Sequence, residues 1–417
     1  MAATSSASNA SAAIEGRVVA VDAVTGEVAI AAGEQIVRAR IPLPATLPES
    51  GDIVRLRRAL GDAPVTIDVL TPYRRAVPFP SPGADYYRLH SGGPSRAARL
   101  RQRAAVLAAT RRFFDQRGFI EVQTPQRVHC AGLEPQLVAM ESAGAHLITS
   151  PEYQMKRLLA AGLDRIYFLG SCWRGDERGP LHVGEFCLLE WYEAYAGFDA
   201  LLDQTEALVR YVAQQCAEGT VVTWGEHSAD LARPFERMTV TQACERLCGL
   251  DIEGVEEASE LKRRAEIAGI DVSTVRDFDE VFSRILVEGV EPRLAELGAV
   301  FLTDYPAPLA ALARRHPERP QVAERAELYL CGVELSNGFG ELTDPDEQLA
   351  RLREDQHTRQ ARGLPVHPVD ERFIEALREG IPPAVGNALG MDRLVMLLTG
   401  AETIDDVLAF SPEEIWF

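Results

Sequence analysis

RIYFLGSCWRGDERGPLHVGEFCLLEWYEAY, residues 165–195, is the stretch on which the reading of the fold turns. Residues 165–174 and 185–195 are two strand-like runs, joined as a hairpin by a charged, glycine-bearing loop, 175–184. Side chains alternate along a strand, so Phe186, Glu190 and Tyr192 share one face. A wholly buried strand does not carry Glu190 on that face unless the carboxylate has a partner. Two readings follow. In one, the hairpin is a cleft floor: Arg174 meets a phosphate, the Phe186 ring stacks on a base, and Glu190 and Tyr192 face a substrate amine. In the other, Arg174 and Glu190 form a buried structural ion pair, and the pattern alone leans this way.

The chain around this hairpin reads as α+β. Upstream, residues 96–118 form a long amphipathic helix stopped by Gly118, and FIEVQTP (119–125) is a strand ended by Pro125. A short strand HLIT precedes the helix SPEYQMKRLLAAG, with Ser150 as N-cap, Pro151 at the first helical position and Gly162 past the end. Glu152 then complements the helix dipole or holds a substrate ammonium. Residues 197–320 read as mainly helical. ELYLCGVELSNGFGEL (327–342) is a hairpin turning at Cys331-Gly332. With 329 facing 334, Glu327 lies diagonally across from Glu334 on one face. Two such carboxylates repel unless a cation or a proton lies between them, and hard oxygen ligands suit Mg²⁺. A solvated acidic edge strand is the plainer alternative. Glu341 follows the bend at Asn337-Gly338 and can point into the same cleft. The chain closes with VGNALGMDRLVMLLTG (385–400), a strand leading into a helix. Arg393 in that helix's first turn opposes the dipole, unless an anion, a ring face or Asp392 is its target.

Strands and helices in this arrangement exclude a doubly wound parallel sheet. There is no G-x-x-x-x-G-K-[ST] and no strand-G-x-G-x-x-G-helix, so nucleotide chemistry here uses neither a P-loop nor a Rossmann fold. Residues 14–75 contain five short strands with glycine-bearing turns, as in a small β-barrel of the OB type. Residues 76–95 read as a Pro/Gly/Ser linker, and the Ala/Ser/Asn-rich residues 1–13 as a disordered tail rather than a signal peptide. The 417 residues carry a net charge of −19, which argues against strong non-specific RNA binding and suits a basic protein partner. The seven cysteines show no C-x-x-C pair, consistent with a reduced cytoplasmic protein. No run of 18 apolar residues reads as a membrane span.

Taken in order, these pieces resemble a class II aminoacyl-tRNA synthetase core of the lysyl/aspartyl/asparaginyl subgroup. GFIEVQTP is similar to motif 1, FLGSCWRGDERGPLHVGEFCLLEWY to motif 2 and ALGMDRLVML to motif 3. TSPEYQMKRLLAAG, VELSNGFGELTD, ARGLPVHPVD and GAETIDDVLAFS resemble the branch of that subgroup that ligates lysine to elongation factor P. The likeness runs from about residue 96 to 415 and thins over 197–300. It implies an antiparallel sheet flanked by helices, ATP and Mg²⁺ as cofactors, and a homodimer through the motif 1 region at Pro125.

The resemblance also implies roles. ATP would lie against Arg174, Asp176, Glu177, His182, Phe186, Glu334, Leu335, Gly390 and Arg393. Within that set, Arg174 would hold the α-phosphate, and Phe186 and Arg393 would sandwich adenine. Arg174 and Arg393 would be the catalytic pair, and Glu327 and Glu334 the metal ligands. The amino acid would lie against Ser150, Pro151, Glu152, Glu190, Tyr192, Asn337, Glu341 and Ala388. Glu152 would face its α-amino end, and Glu341, with Tyr192, its distal amine. The loop departs from the family's Arg-Asn-Glu at Arg174-Gly175-Asp176-Glu177, and from His-Asn-Pro-Glu-Phe at His182-Val183-Gly184-Glu185-Phe186. The expected activity is adenylation of lysine or β-lysine followed by transfer to elongation factor P. Ala388, where lysyl-tRNA synthetases carry glycine, and the ending LAFS favour that acceptor. A tRNA(Lys) ligase with 14–75 as its anticodon-binding barrel, and a nucleotide-binding regulatory paralogue, are the alternatives.

Overall fold

The computed structural model describes residues 13–33, 35–57, 65–81, 84–91, 94–217 and 219–416. The expected tail 1–13 therefore lies outside the described residues except for Ala13. The chain divides into two compact units, residues 1–97 and 98–417.

The first unit is a five-stranded antiparallel sheet. Its strands are β1 (Ile14–Asp22), β2 (Glu27–Ala32), β3 (Gln35–Arg40), β4 (Ile53–Arg57) and β5 (Thr66–Thr71), in the order β3-β2-β1-β4-β5. Val18, Val28, Ile30, Val54 and Leu56 fill its core, as alternation places them. The five strands are those expected of a small β-barrel-like unit, and among the described residues β3 and β5 are its two outer strands. The segment expected as a linker carries a helix, Asp85–His90, and an aromatic chain in which Phe79 packs on Tyr73 and on Tyr86.

The second unit is built on an eight-stranded sheet. Its strands are β6 (Ile120–Glu121), β10 (Arg165–Trp173), β11 (Glu185–Ala194), β14 (Glu236–Thr239), β15 (Ala299–Pro306), β16 (Val322–Leu330), β17 (Val333–Gly340) and β18 (Ala384–Gly390). The intervening strands β7 (Arg127–Val128), β8 (Glu141–Ser142) and β9 (Ala145–Leu147) form a small sheet, and β12 (Val221–Trp224) pairs with β13 (His227–Asp230). The large sheet runs β14-β15-β16-β17-β18-β11-β10-β6, antiparallel except for the parallel edge pairs β14/β15 and β6/β10.

One face of the sheet packs Tyr167, Leu169, Leu189, Trp191 and Leu389 against the helices Arg96–Asp115, Phe198–Cys216 and Met391–Thr399. Burying each of these large side chains contributes about 1.5–3 kcal/mol, which fixes the central strands' register. The opposite face meets the helices Glu152–Ala160 and Glu371–Gly380 at its β10 end, where Tyr153 stacks on Phe373. The rest of that face is left open as a cavity.

Region 197–320 corrects the sequence expectation. It holds four strands as well as helices, and β15 lies inside the main sheet. Its core AVFL is a short apolar run, buried on both sides, which periodicity cannot separate from a buried helix. The motif 1 strand is also shorter than expected, confined to Ile120–Glu121.

Candidate active site

The hairpin 165–195 folds as read, with Cys172 opposite Phe186, Phe168 opposite Glu190 and Ile166 opposite Tyr192. The strand pairings then align the cavity floor into rows. One row runs Glu327–Asn337–Ala388–Glu190–Phe168 across β16, β17, β18, β11 and β10. The next runs Arg325–Phe339–Gly386–Tyr192–Ile166. Gly386 is required here: a Cβ would run into the Glu341 carboxylate and the Tyr192 ring. The cavity above this floor has a volume of about 380 Å³.

At one end lie acids. Glu190 is 2 % exposed and makes no ion pair with Arg174. It accepts from the hydroxyls of Ser150 (2.7 Å) and Tyr192 (2.7 Å). Burial, then the neighbouring Glu152, pushes its pKa up to about 8. The helix Glu152–Ala160 starts one residue later than expected, with Pro151 at the cap, and Ser150 Oγ accepts from the Glu152 amide at 3.0 Å. Pro151 is buried and lies outside the cavity.

A residue not anticipated from sequence sits among these acids. Lys156, 1 % exposed, places its Nζ 2.6 Å from Glu152 Oε1 and 2.6 Å from Glu341 Oε2. The two carboxylates hold it as an ammonium despite its burial, with a pKa raised above the usual lysine value. Burial, opposed by Lys156, pushes Glu341 up to about 7. Glu341 is thus already paired by the protein's own cation. The available signal was the i, i+4 spacing of Glu152 and Lys156 on one helix.

At the other end lie cations beside acids. Arg174 packs over the Phe186 ring (5.0 Å to the centroid) and pairs loosely with Glu177 at 3.7 Å. Its Nε is buried with no hydrogen-bond partner. Arg393 does not pair with Asp392. It donates to the carbonyls of Leu181 (3.2 Å) and Glu334 (2.7 Å) and approaches His182 Nε2 at 2.7 Å. Burial, then Arg393, lowers the His182 pKa, so the ring meets Arg393 uncharged. Asp392 instead pairs with Arg103 and accepts from the Cys187 amide at 2.7 Å, tying the helix Arg96–Asp115 to the cavity strand.

Glu327 and Glu334 both line the cavity, but the register shifts between Leu328 and Tyr329, so Glu327 faces Asn337. This bulge modifies the simple diagonal expected from the turn. The hairpin turns at Cys331-Gly332 as expected, with positive φ at both residues, 52° and 81°. Glu327 is held by Arg325 (2.7 Å) and the Tyr329 hydroxyl (2.9 Å), and burial followed by Glu327 raises the Glu334 pKa. Among the described residues no group of three or more His, Cys, Asp or Glu side chains is arranged to hold a metal. Two carboxylates on the wall of one cavity fit Mg²⁺, a cation that draws its other ligands from phosphates and water.

Of the remaining expected residues, Glu177, His182, Leu335, Asn337, Ala388 and Gly390 line the cavity, and Asp176 does not. Asp176 sits at φ 59°, a left-handed turn position that leaves it exposed and hands the inward position to Glu177. The second departure from the family pattern has a packing reason: Val183 is buried in the main core.

A family model described as tRNA synthetases class II (D, K and N) matches residues 84–414. The chain belongs to that family, and the sheet and the cavity on its open face are its fold. Among characterised relatives, the elongation factor P–(R)-β-lysine ligase of Photorhabdus laumondii is 40% identical over 333 residues, covering 76% of this chain and 96% of the relative. Proteins of the same name from Yersinia enterocolitica and Vibrio cholerae are each 39% identical, covering 75% of this chain and 94% and 95% of theirs.

Proposed function

We propose that this protein activates lysine or (R)-β-lysine with ATP as the adenylate and transfers the acyl group to a lysine of elongation factor P. The observation that carries the reading is Glu190, a buried carboxylate with two hydroxyl partners and no cation. Such a group calls for a cationic ligand. The relatives' names say which one, and the cavity's other end supplies the phosphate-binding cations.

The amino acid lies at the acid end, with its amines toward Glu190, Tyr192, Ser150 and the Lys156-bridged pair Glu152 and Glu341. Its carboxylate attacks the α-phosphorus of ATP in line, and pyrophosphate leaves. Arg174 holds the α-phosphate and stabilises the charge that develops there. Phe186 and Arg393 hold adenine, with Glu177, His182, Leu335 and Gly390 around the nucleotide. Glu327 and Glu334 would hold Mg²⁺, which would supply neutralisation of phosphate charge. Asn337 and Ala388 shape the floor between the two ends. No side-chain nucleophile is needed, because catalysis is positioning plus charge stabilisation. The protein acts in the cytoplasm as a homodimer through the motif 1 region, where Pro125 is exposed.

The N-terminal unit supports a protein acceptor over tRNA. Residues 1–97 carry ten arginines against nine carboxylates. On the sheet, Arg38, Arg55 and Arg57 pair with Glu27, Glu15 and Asp68. Arginines neutralised in place make a poor phosphate-binding surface. The test is pyrophosphate exchange with lysine and (R)-β-lysine, followed by transfer of labelled acyl group with elongation factor P and tRNA both present. Label on the protein supports the proposal. Label on tRNA alone transfers the assignment to a lysyl-tRNA synthetase, and no exchange with either amino acid rejects the enzyme.

A further inference from the structure

Glu134 lines the cavity and has no role in the reaction as described so far. Its Oε2 is buried without a hydrogen-bond partner. The loop that carries it is anchored from behind by Arg359, itself 1 % exposed, whose Nη1 donates to the carbonyls of Glu134 and Leu137 at 2.9 Å each. The same loop is pressed against the start of the motif 2 loop. The Gly175 amide donates to Val138 O at 2.7 Å, and a Cβ at 175 would lie 2.9 Å from Val138 Cγ1. The family's usual asparagine would therefore not fit at 175 with the loop in this place. On its other side, the Glu134 carboxylate occupies space that Gly132 leaves open: a Cβ there would fall 2.6 Å from Oε2 and 3.1 Å from Thr149 Oγ1. Gln136, two residues on, lines the cavity yet is exposed, so the loop forms part of its rim. Glu134 thus reaches in from the rim beside Arg174-Gly175 and beside Thr149-Ser150, where the phosphate and amino-acid ends of the cleft meet.

An acceptor lysine arrives with a difficulty that a tRNA hydroxyl does not have. At neutral pH only about one in a thousand such amines is neutral and nucleophilic, given a pKa near 10.4. We infer that Glu134 is the catalytic base of the transfer step, taking a proton from the acceptor's ε-ammonium at the rim of the cavity. The inference rests on the proposed lysine acceptor. One N–H proton passes to the Glu134 carboxylate, and the freed nitrogen lone pair forms the C–N bond at the acyl carbon. The acyl C–O bond to phosphate breaks, and AMP departs with its electron pair. The nitrogen's second proton leaves with the AMP phosphate, and Glu134 returns its proton to water.

The groups that act on Glu134 are consistent with a base. Burial, then Glu152, raises its pKa, and Arg174 opposes them. Tyr153 on the same helix as Glu152, Asp355 and Arg359 on the helix Pro345–Ala361, and Cys130 upstream in the chain complete its charged and titratable surroundings.

The test compares wild type with Glu134→Gln in three assays: pyrophosphate exchange, single-turnover transfer to elongation factor P, and trapping of the adenylate by hydroxylamine. Hydroxylamine is neutral at pH 7 and needs no base. The expected result for Glu134→Gln is transfer to elongation factor P slowed about a hundredfold or more, the usual worth of a positioned base. Hydroxylamine trapping and exchange stay within about tenfold of wild type, on the same scale. Residual transfer in Glu134→Gln rises tenfold per pH unit toward the acceptor's pKa, whereas wild type levels off, and Glu134→Asp recovers part of the rate. Unchanged transfer overturns the inference. So does an equal loss with hydroxylamine and elongation factor P, which would make Glu134 a binding or packing residue. Failure of wild type itself to acylate elongation factor P would reject the acceptor reading and the inference together, and is visible without the variant.

Discussion

The two ends of the cleft use charge in opposite ways. At the end proposed for the amino acid, Glu152, Glu190 and Glu341 gather near Lys156, which pairs with Glu152 and Glu341 but not with Glu190, and Lys156, Glu190 and Glu341 are buried. At the nucleotide end, Arg174, Arg325 and Arg393 stand among Glu177, Glu327 and Glu334, each within reach of an opposite charge. A buried acid with no resident cation keeps its proton until a cationic ligand enters to take its place. A site whose charges are already balanced can exchange those partners for phosphates and a metal. On the proposed function, selectivity for the amino acid sits in the acid without a resident cation, and nucleotide binding in re-paired charge.

Lys156→Met strikes hardest at this asymmetry. It leaves Glu152 and Glu341 buried without their cation, and the expected cost is about 3–5 kcal/mol of stability at pH 8. Urea denaturation measures it; a loss under 1 kcal/mol would mean the acid end does not depend on its resident cation. Arg174→Ala removes the cation from the opposite end. It should lower the rate of pyrophosphate exchange about 10²–10³-fold with the fold intact, as stopped-time exchange assays and circular dichroism would show.

Glu190→Gln sharpens the comparison by neutralising the unpaired acid while keeping its shape. The expected loss is about tenfold to a hundredfold in kcat/KM for lysine, the worth of a charged hydrogen bond, with KM for ATP unmoved. Wild type should show the same group through pH. Glu190 and Glu341 have native pKa values of about 8 and about 7, above the ordinary carboxylate value of 4.5. The folded protein binds these protons more tightly than the unfolded chain. Their contribution to stability is therefore full at low pH and is lost as pH rises from about 4.5 through 8. The Tm of the ligand-free protein should fall over that window, and added lysine should flatten the fall. A Tm that climbs from pH 5 to 8 without ligand would refute the unpaired-acid picture.

The smallest effect should come from the rim of the nucleotide end. Arg178 in the motif 2 loop pairs with Asp405 (2.6 Å) and Glu413 (2.8 Å), and the Ile404 amide donates to Pro180 O (2.8 Å). Arg178→Ala should raise KM for ATP only about two- to fivefold, because exposed pairs contribute little. The difference should vanish in high salt.

Much of the cleft was legible because strands write their faces into sequence. Alternation put Phe186, Glu190 and Tyr192 together, and the Cys331-Gly332 turn put Glu327 near Glu334. What was hidden depended on contacts no local pattern encodes. Lys156 meets Glu341 across 185 positions of chain, so an acid expected to face substrate is paired with the protein's own lysine. Glu134 lies in a loop with no periodicity, and only the gaps left by Gly132 and Gly175 reveal its place. Asp176 and Glu177 are interchangeable on paper, and one left-handed residue decides which faces inward. β15 was concealed by being buried on both faces, the condition under which a strand loses its signature.

Lys156 has one more consequence, for the protein's own survival as a catalyst. Its proposed product is a reagent that acylates lysine amines. Of the 43 basic residues in the chain only two are lysines, Lys156 and Lys262. Lys262 lies on the helix Ala258–Ile267, with its Nζ bonded to Val275 O at 3.1 Å. In the proposed site Lys156 would lie near the reagent, but an ammonium locked between two carboxylates has no lone pair to attack with. The charge arrangement that awaits a cationic substrate also keeps the nearest amine chemically silent, and leaves the acyl group for the acceptor.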